Sequence, residues 1–160
     1  MYSVGEYVVY KKNVCKVIKI KMIKDTSYYV LEDISDNSLK ISVPSDSKLI
    51  REVVGTKEGE ELINSIPMID IINVSDKQLE TEYKNLLNTG KLEDLIKIIK
   101  TTYLRNKKRL DGHKKIGETD EIYFNKAEKL LYNELSVTFD MTYDETKNYI
   151  KQKVDTLISK

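Results

Sequence analysis

Eight basic side chains stand between Lys97 and Lys115: Lys97, Lys100, Arg105, Lys107, Lys108, Arg109, Lys114 and Lys115. The only acidic residue among them is Asp111, so the segment carries about +7 while the whole chain carries +1. A charge so concentrated is a local field, and the chemistry it offers is a grip on phosphate. Lys97, Lys100 and Lys108 are spaced close to multiples of 3.6 and can share one side of a helix. Lys114 and Lys115 continue the charge past the helix end into a turn. A charge run is more often a solvated helix face than a binding surface. The continuation across a helix end favours the second reading, because a helix C-terminus flanked by lysines can follow a phosphate backbone. Such contact gives affinity without sequence choice.

Residues able to do covalent chemistry are few. His113 is the only histidine, and it sits in the polar glycine turn DGHKK, which predicts exposure rather than a catalytic partner. Cys15 is the only cysteine and lies in a β-branched run, where a small buried hydrophobe is expected. One cysteine excludes an internal disulfide and a multi-cysteine zinc site. Neither GxxxxGK[ST] nor GxGxxG occurs, so the usual phosphate-cradling loops are absent. The many carboxylates are scattered and read as solvated faces. No catalytic residue, metal ligand or cofactor site is expected.

Two kinds of element must position these groups. The chain has 160 residues, 40% hydrophobic and 33% charged, which suits one domain or two small ones with an ordinary core. No apolar run approaches the roughly 18 residues needed to span a bilayer. The opening MYSVGEYVVYKK is not a secretory signal, so a reducing cytoplasm is the expected compartment. Before Arg51, period-two patterns dominate. Tyr7 to Tyr10, Val14 to Ile20, Tyr28 to Leu31 and Leu39 to Val43 read as short strands, with Asp36-Asn37-Ser38 as a hairpin turn. Four or five strands in so short a stretch predict a small twisted barrel.

After Arg51 the period becomes helical. A first helix follows Thr56 and stops before Pro67. A second opens at Ser75, with Gln78 as its capping-box partner, buries Leu79, Tyr83, Leu86 and Leu87, and ends at Gly90. A third runs from Leu92 to about Leu110 with Leu92, Leu95, Ile96, Ile99 and Tyr103 on its apolar face. A fourth starts at Thr119 and buries Tyr123, Ala127, Leu130 and Leu131. A fifth starts at Thr142, with Glu145 completing its capping box, and presents Tyr149, Ile150, Val154, Leu157 and Ile158. The expected class is α+β: a small N-terminal β-barrel over residues 1–52, then a bundle of four to five helices over residues 53–160.

The segments VGEYVVY, ISVPSDS, KIIKTTYLR, the GxKK turn, TDE and AEKLLYNEL together resemble the CarD family of bacterial RNA-polymerase-binding transcription regulators, its firmicute-type members most. The likeness is strongest over residues 96–135 and weak over 44–75. It implies a Tudor-like RNA-polymerase-interacting domain that adds its sheet edge to a strand of the polymerase β subunit. The matching residues here are Leu39, Lys40, Ile41, Ser42, Val43 and Pro44, with Lys21 at one of the family's basic polymerase-facing positions. It also implies that the helical part touches promoter DNA at the upstream edge of the transcription bubble, where the family commonly inserts a Trp wedge. This chain has no Trp. The corresponding place falls in IINVSD, where Ile71 or Ile72 could serve as a wedge or be buried in the core.

Two functional expectations follow. The first is a non-enzymatic regulator, monomeric, that docks on RNA polymerase β and clamps promoter DNA mostly through phosphates. The second is a protein-interaction adaptor that binds polymerase without touching DNA.

Overall fold

The period-two runs become five antiparallel strands in the computed structural model, which describes residues 1–158 with the Ile158 side chain outside the described set. They are β1 (Tyr7–Tyr10), β2 (Asn13–Ile23), β3 (Thr26–Asp33), β4 (Asp36–Pro44) and β5 (Ile50–Glu52). Their order across the sheet is β4-β3-β2-β1-β5. The sheet is open: β5 spends its three residues on β1, pairing Val8 with Glu52 and Tyr10 with Ile50, and never meets β4. A closed barrel would require that meeting, so β4 remains a free edge.

Turn chemistry sets the register. Lys24 and Asp25, between β2 and β3, both take positive φ (48° and 67°), the backbone of a two-residue turn whose twist matches the strands. The β3–β4 turn lies at Ile34–Ser35, two residues before the expected Asp36-Asn37-Ser38. Asp33 accepts hydrogen bonds from the Ser35 amide and hydroxyl (2.8 and 2.7 Å), and this closes the earlier turn. Asp36 repeats the arrangement with Ser38 (3.0 and 2.6 Å) inside the first bulged residues of β4.

Residues opposite one another share a face. On one face Val17, Leu31, Tyr29 and Val43 join Val8 and Cys15 in a small core. Ile41, opposite Leu31, lies at its open rim and is 42% exposed. A register shift at Ile18 puts Lys19 and Lys21 opposite Val30 and Tyr28 on the other face. Lys16, Glu32 and Lys40 continue that second, polar face.

The helical half contains α1 (Thr56–Ser65), a 3₁₀ turn (Ile66–Met68), α2 (Asp76–Leu87), α3 (Leu92–Asp111), α4 (Glu118–Phe139) and α5 (Tyr143–Ile158). Its core is built from Ile63, Leu79, Tyr83, Leu95, Ile98, Tyr123, Ala127, Leu131, Leu135 and Ile150. The capping box at α5 is present in both directions: Thr142 N–H donates to Glu145 Oε1 and Glu145 N–H to Thr142 Oγ1, each at 3.1 Å. At α2 the Ser75 side chain makes no cap, and only its carbonyl receives the Gln78 amide. Helix α4 starts at Glu118 behind a Gly117 cap, one residue before Thr119.

Arg51 and Glu134 fasten the sheet to the helices. Glu134 is 2% exposed and receives both Arg51 nitrogens (2.8 and 2.7 Å) and the Val54 amide (3.0 Å). Arg51 also donates to the Gly90 carbonyl at 2.9 Å. Gly90 has φ +76°, and a Cβ there would stand 2.9 Å from the Lys11 carbonyl, so glycine is needed both for the turn and for the approach of the two halves. Lys12 adds a hydrogen bond to Asn88 at 2.8 Å.

Candidate nucleic-acid and partner interfaces

The eight basic residues fall on α3 and the α3–α4 turn, and the fold divides them into two groups. Lys100 points inward. Its ammonium donates to the Ile66 and Ile69 carbonyls (2.8 and 2.5 Å) and so closes the 3₁₀ turn. Burial lowers its pKa from the ordinary lysine value, and Asp70 offsets this in part. Arg105 and Arg109 both bind Asp120 on α4, at 2.9 and 2.6 Å. Arg105 also reaches the exposed Asp76 at 3.2 Å. Lys97 is half-buried, and Lys107, Lys108, Lys114 and Lys115 are exposed. None of these five has an acidic partner among the described residues. The free basic surface is therefore five lysines, not eight cations, and the expected shared stripe of Lys97, Lys100 and Lys108 loses its middle member.

Asp120 is the hub of this region and carries no signal in its own sequence neighbourhood beyond an acidic first turn. It is 3% exposed and also accepts the Tyr83 hydroxyl at 2.7 Å. Burial pushes its carboxyl up, but the hydrogen bonds from Tyr83, Arg109 and Arg105 together outweigh that and hold its pKa below the ordinary carboxylate value. The Tyr83 hydroxyl is pushed well up, first by burial and then by donating to Asp120. Asn106 Oδ1 accepts from Arg109 and, at 2.7 Å, from the Gly117 amide. A Cβ at Gly117 would stand 2.4 Å from Arg109 Nη1, so this position must be glycine while the guanidinium is so held. One buried carboxylate thus ties α2, α3 and α4 together with the two arginines that read as phosphate ligands in the sequence.

The sheet edge separates its residues by face. Leu39 and Ile41 are exposed on β4 (54% and 42%), whereas Val43 is 3% exposed and belongs to the strand core. Val43 therefore offers a partner only its backbone. Lys40 leans toward Glu32 at 3.9 Å on the polar face. Ser42 and Pro44 share that face, opposite Val30 and Tyr28, and Lys21 meets Tyr28 from the other side.

Between the 3₁₀ turn and α2, Ile71 and Ile72 part company. Ile72 packs on the helical core, and its amide donates to Thr101 Oγ1 at 2.9 Å. Ile71 is 47% exposed, and Met68 and Val74 beside it are exposed as well. His113 is exposed with φ 60°, and Cys15 is buried, its thiol pushed up to about 11 first by burial and then by Asp33. Among the described residues no group of His, Cys, Asp or Glu is placed to hold a metal ion, and no helix is long and apolar enough to cross a membrane. No protein-family model matches the sequence, and no curated protein aligns with it significantly.

Proposed function

We propose that this chain is a non-enzymatic transcription regulator of the CarD type. In this reading the strand half acts as a Tudor-like polymerase-interacting domain, and β4 pairs with a strand of the RNA polymerase β subunit. The helical half holds promoter DNA through Lys97, Lys107, Lys108, Lys114 and Lys115, and the two contacts together shift the open-complex equilibrium. The observation that carries the proposal is the free edge of β4. It is nine residues long, carries exposed Leu39 and Ile41, and has no strand on its outer side among the described residues. Main-chain hydrogen bonds along such an edge give affinity, and alternate side chains give choice. The adaptor reading keeps this edge and drops the DNA contact; salt-independent binding to duplex would favour it.

Successive amides along a strand point to opposite sides, so one of Ile41 and Ser42 donates to β3 and the other faces outward. Proline is tolerated on an edge strand where its missing N–H faces solvent. Ile41→Pro and Ser42→Pro are therefore made as a pair, and the one that keeps the native thermal transition is the probe. It should lose binding to purified polymerase β in a pull-down. Unchanged binding by a correctly folded variant would refute docking through this edge.

A further inference from the structure

An apolar groove of about 250 Å³ runs between the C-terminal half of α3, the α3–α4 turn and the first turns of α4. Tyr103, Leu110, Ile116 and Phe124 form its walls. Tyr103, Leu110 and Ile116 are 56%, 58% and 45% exposed, and none of the four belongs to the helical core or packs against it. These side chains are apolar surface that the fold itself leaves uncovered.

Asn106 also lines the groove and is 7% exposed. Its Oδ1 accepts from both Arg109 and the Gly117 amide, which fixes the amide orientation. Its Nδ2 is then turned away from those donors and meets no acceptor among the described residues. That donor is available to an acceptor entering the groove. Lys107 stands at the groove itself, and Lys114 and Lys115 precede Ile116 in the turn; none of the three ammonium groups has an acidic partner among the described residues. Glu121 lines the groove as well.

We propose that this groove docks an acidic, amphipathic segment of a partner protein. A bulky apolar side chain would enter between Tyr103, Leu110, Ile116 and Phe124. A main-chain carbonyl would accept from Asn106 Nδ2, and carboxylates would face Lys107, Lys114 and Lys115. Two of the four walls are aromatic and could also stack a base, but a phosphate backbone crossing the groove would run against Glu121 and the neighbouring Glu118. The proposal does not depend on polymerase docking. It shares three lysines with the DNA reading, so an acidic segment seated here would compete with DNA.

The test uses the full chain and a fluorescein-labelled peptide with Leu and Phe on one helical face and Glu on the other. Its twin carries Lys in place of each Glu. Anisotropy should show the acidic peptide binding at least about tenfold more tightly than the twin, the effect expected of a small set of complementary charges. Leu110→Glu and Ile116→Glu, both on exposed positions, should each abolish binding while leaving the thermal transition in place, and Lys107→Gln should weaken it. Equal affinity for the two peptides, or binding that survives Leu110→Glu, means adhesion to apolar surface only and overturns the proposal. A single-stranded oligonucleotide that is lost to the same extent in Leu110→Glu would assign the groove to nucleic acid and overturn it equally.

Discussion

Replacing Lys107 and Lys108 together by Gln tests how many cations the fold leaves for DNA. Each neutralised phosphate contributes about 0.9 to the slope of log K against log salt on a duplex. Were all eight basic residues from Lys97 to Lys115 in contact, the slope would be about −7. Lys100 is spent on the Ile66 and Ile69 carbonyls, and Arg105 and Arg109 are spent on Asp120. With five lysines left the slope is at most about −4.5, a loss of about 500-fold in affinity between ~50 and ~200 mM salt. The double substitution should make it shallower by about 1.8 and weaken binding almost regardless of sequence. Lys100→Gln is the matched control, because it removes one formal charge of the same kind. It should leave the slope unchanged and instead destabilise the fold by about 1–3 kcal/mol, since two carbonyls of the 3₁₀ turn lose their donor. The assay is fluorescence anisotropy of a labelled upstream duplex over a salt series, with urea unfolding run on each variant. A parent slope near −7, or a Lys100→Gln slope that drops as much as that of a Lys107 variant, would refute this partition of the basic residues.

Asp120→Asn should cost about 3–5 kcal/mol in urea unfolding, because two guanidinium groups lose their buried counter-charge. The Asp120 carboxyl is held below its ordinary pKa in the folded state, so its contribution is complete above the unfolded value and lost as pH falls through the lower folded one. The variant's stability should therefore vary less with pH in that acid window, and an unchanged acid limb would remove Asp120 from the account. Cys15, pushed up to about 11 from 9.0, should react with iodoacetamide at pH 8 about a hundredfold more slowly in the native chain than in urea, and equal rates would show the thiol to be accessible and ordinary. Trp placed at Ile71 or Asn73, both exposed, should lengthen open-complex lifetime if the loop meets the groove of opened DNA. Trp at Ile72 should destabilise the fold instead, because that side chain packs on the core. Open-complex lifetimes unchanged by both exposed substitutions would place this loop away from the bubble.

Local signals carried well into the structure where the interaction is itself local. The Thr142–Glu145 capping box spans three residues and forms in both directions. Signals failed where distant partners decide. Tyr103 reads as the next apolar position after Ile99, yet the buried stripe of α3 turns through Ile98 and Thr102 to Asn106. Thr101 and Thr102 satisfy their hydroxyls on the Lys97 and Ile98 carbonyls, which lets polar residues occupy core positions and hides the stripe from a hydrophobicity pattern. The β3–β4 turn falls earlier than the sequence suggests because Ile34 looks like a strand residue, while the turn is closed by Asp33 and Ser35. The basic segment was legible as charge but not as availability. Asp120 stands 15 and 11 residues from the arginines it holds, and the carbonyls that bind Lys100 are 34 and 31 residues away. Glu134, which joins the two halves through Arg51 over 83 residues, gave no sign of its role within the helical repeat around it.

The Arg51–Glu134 fastening removes slack between the β4 edge and the lysines of α3. Two binding sites joined by a short flexible tether see one another at an effective concentration in the millimolar range over the spread of spacings the tether can span. Two sites joined rigidly see a much higher value at one spacing and almost none at others. A protein built in this way would measure distance as well as charge if both sites were occupied. If it holds polymerase and DNA at once, its avidity should vary with how far the upstream duplex lies from the docking strand. Promoters with the same base composition but a different path beside the enzyme would then be held differently, a form of selectivity that needs no contact with any base.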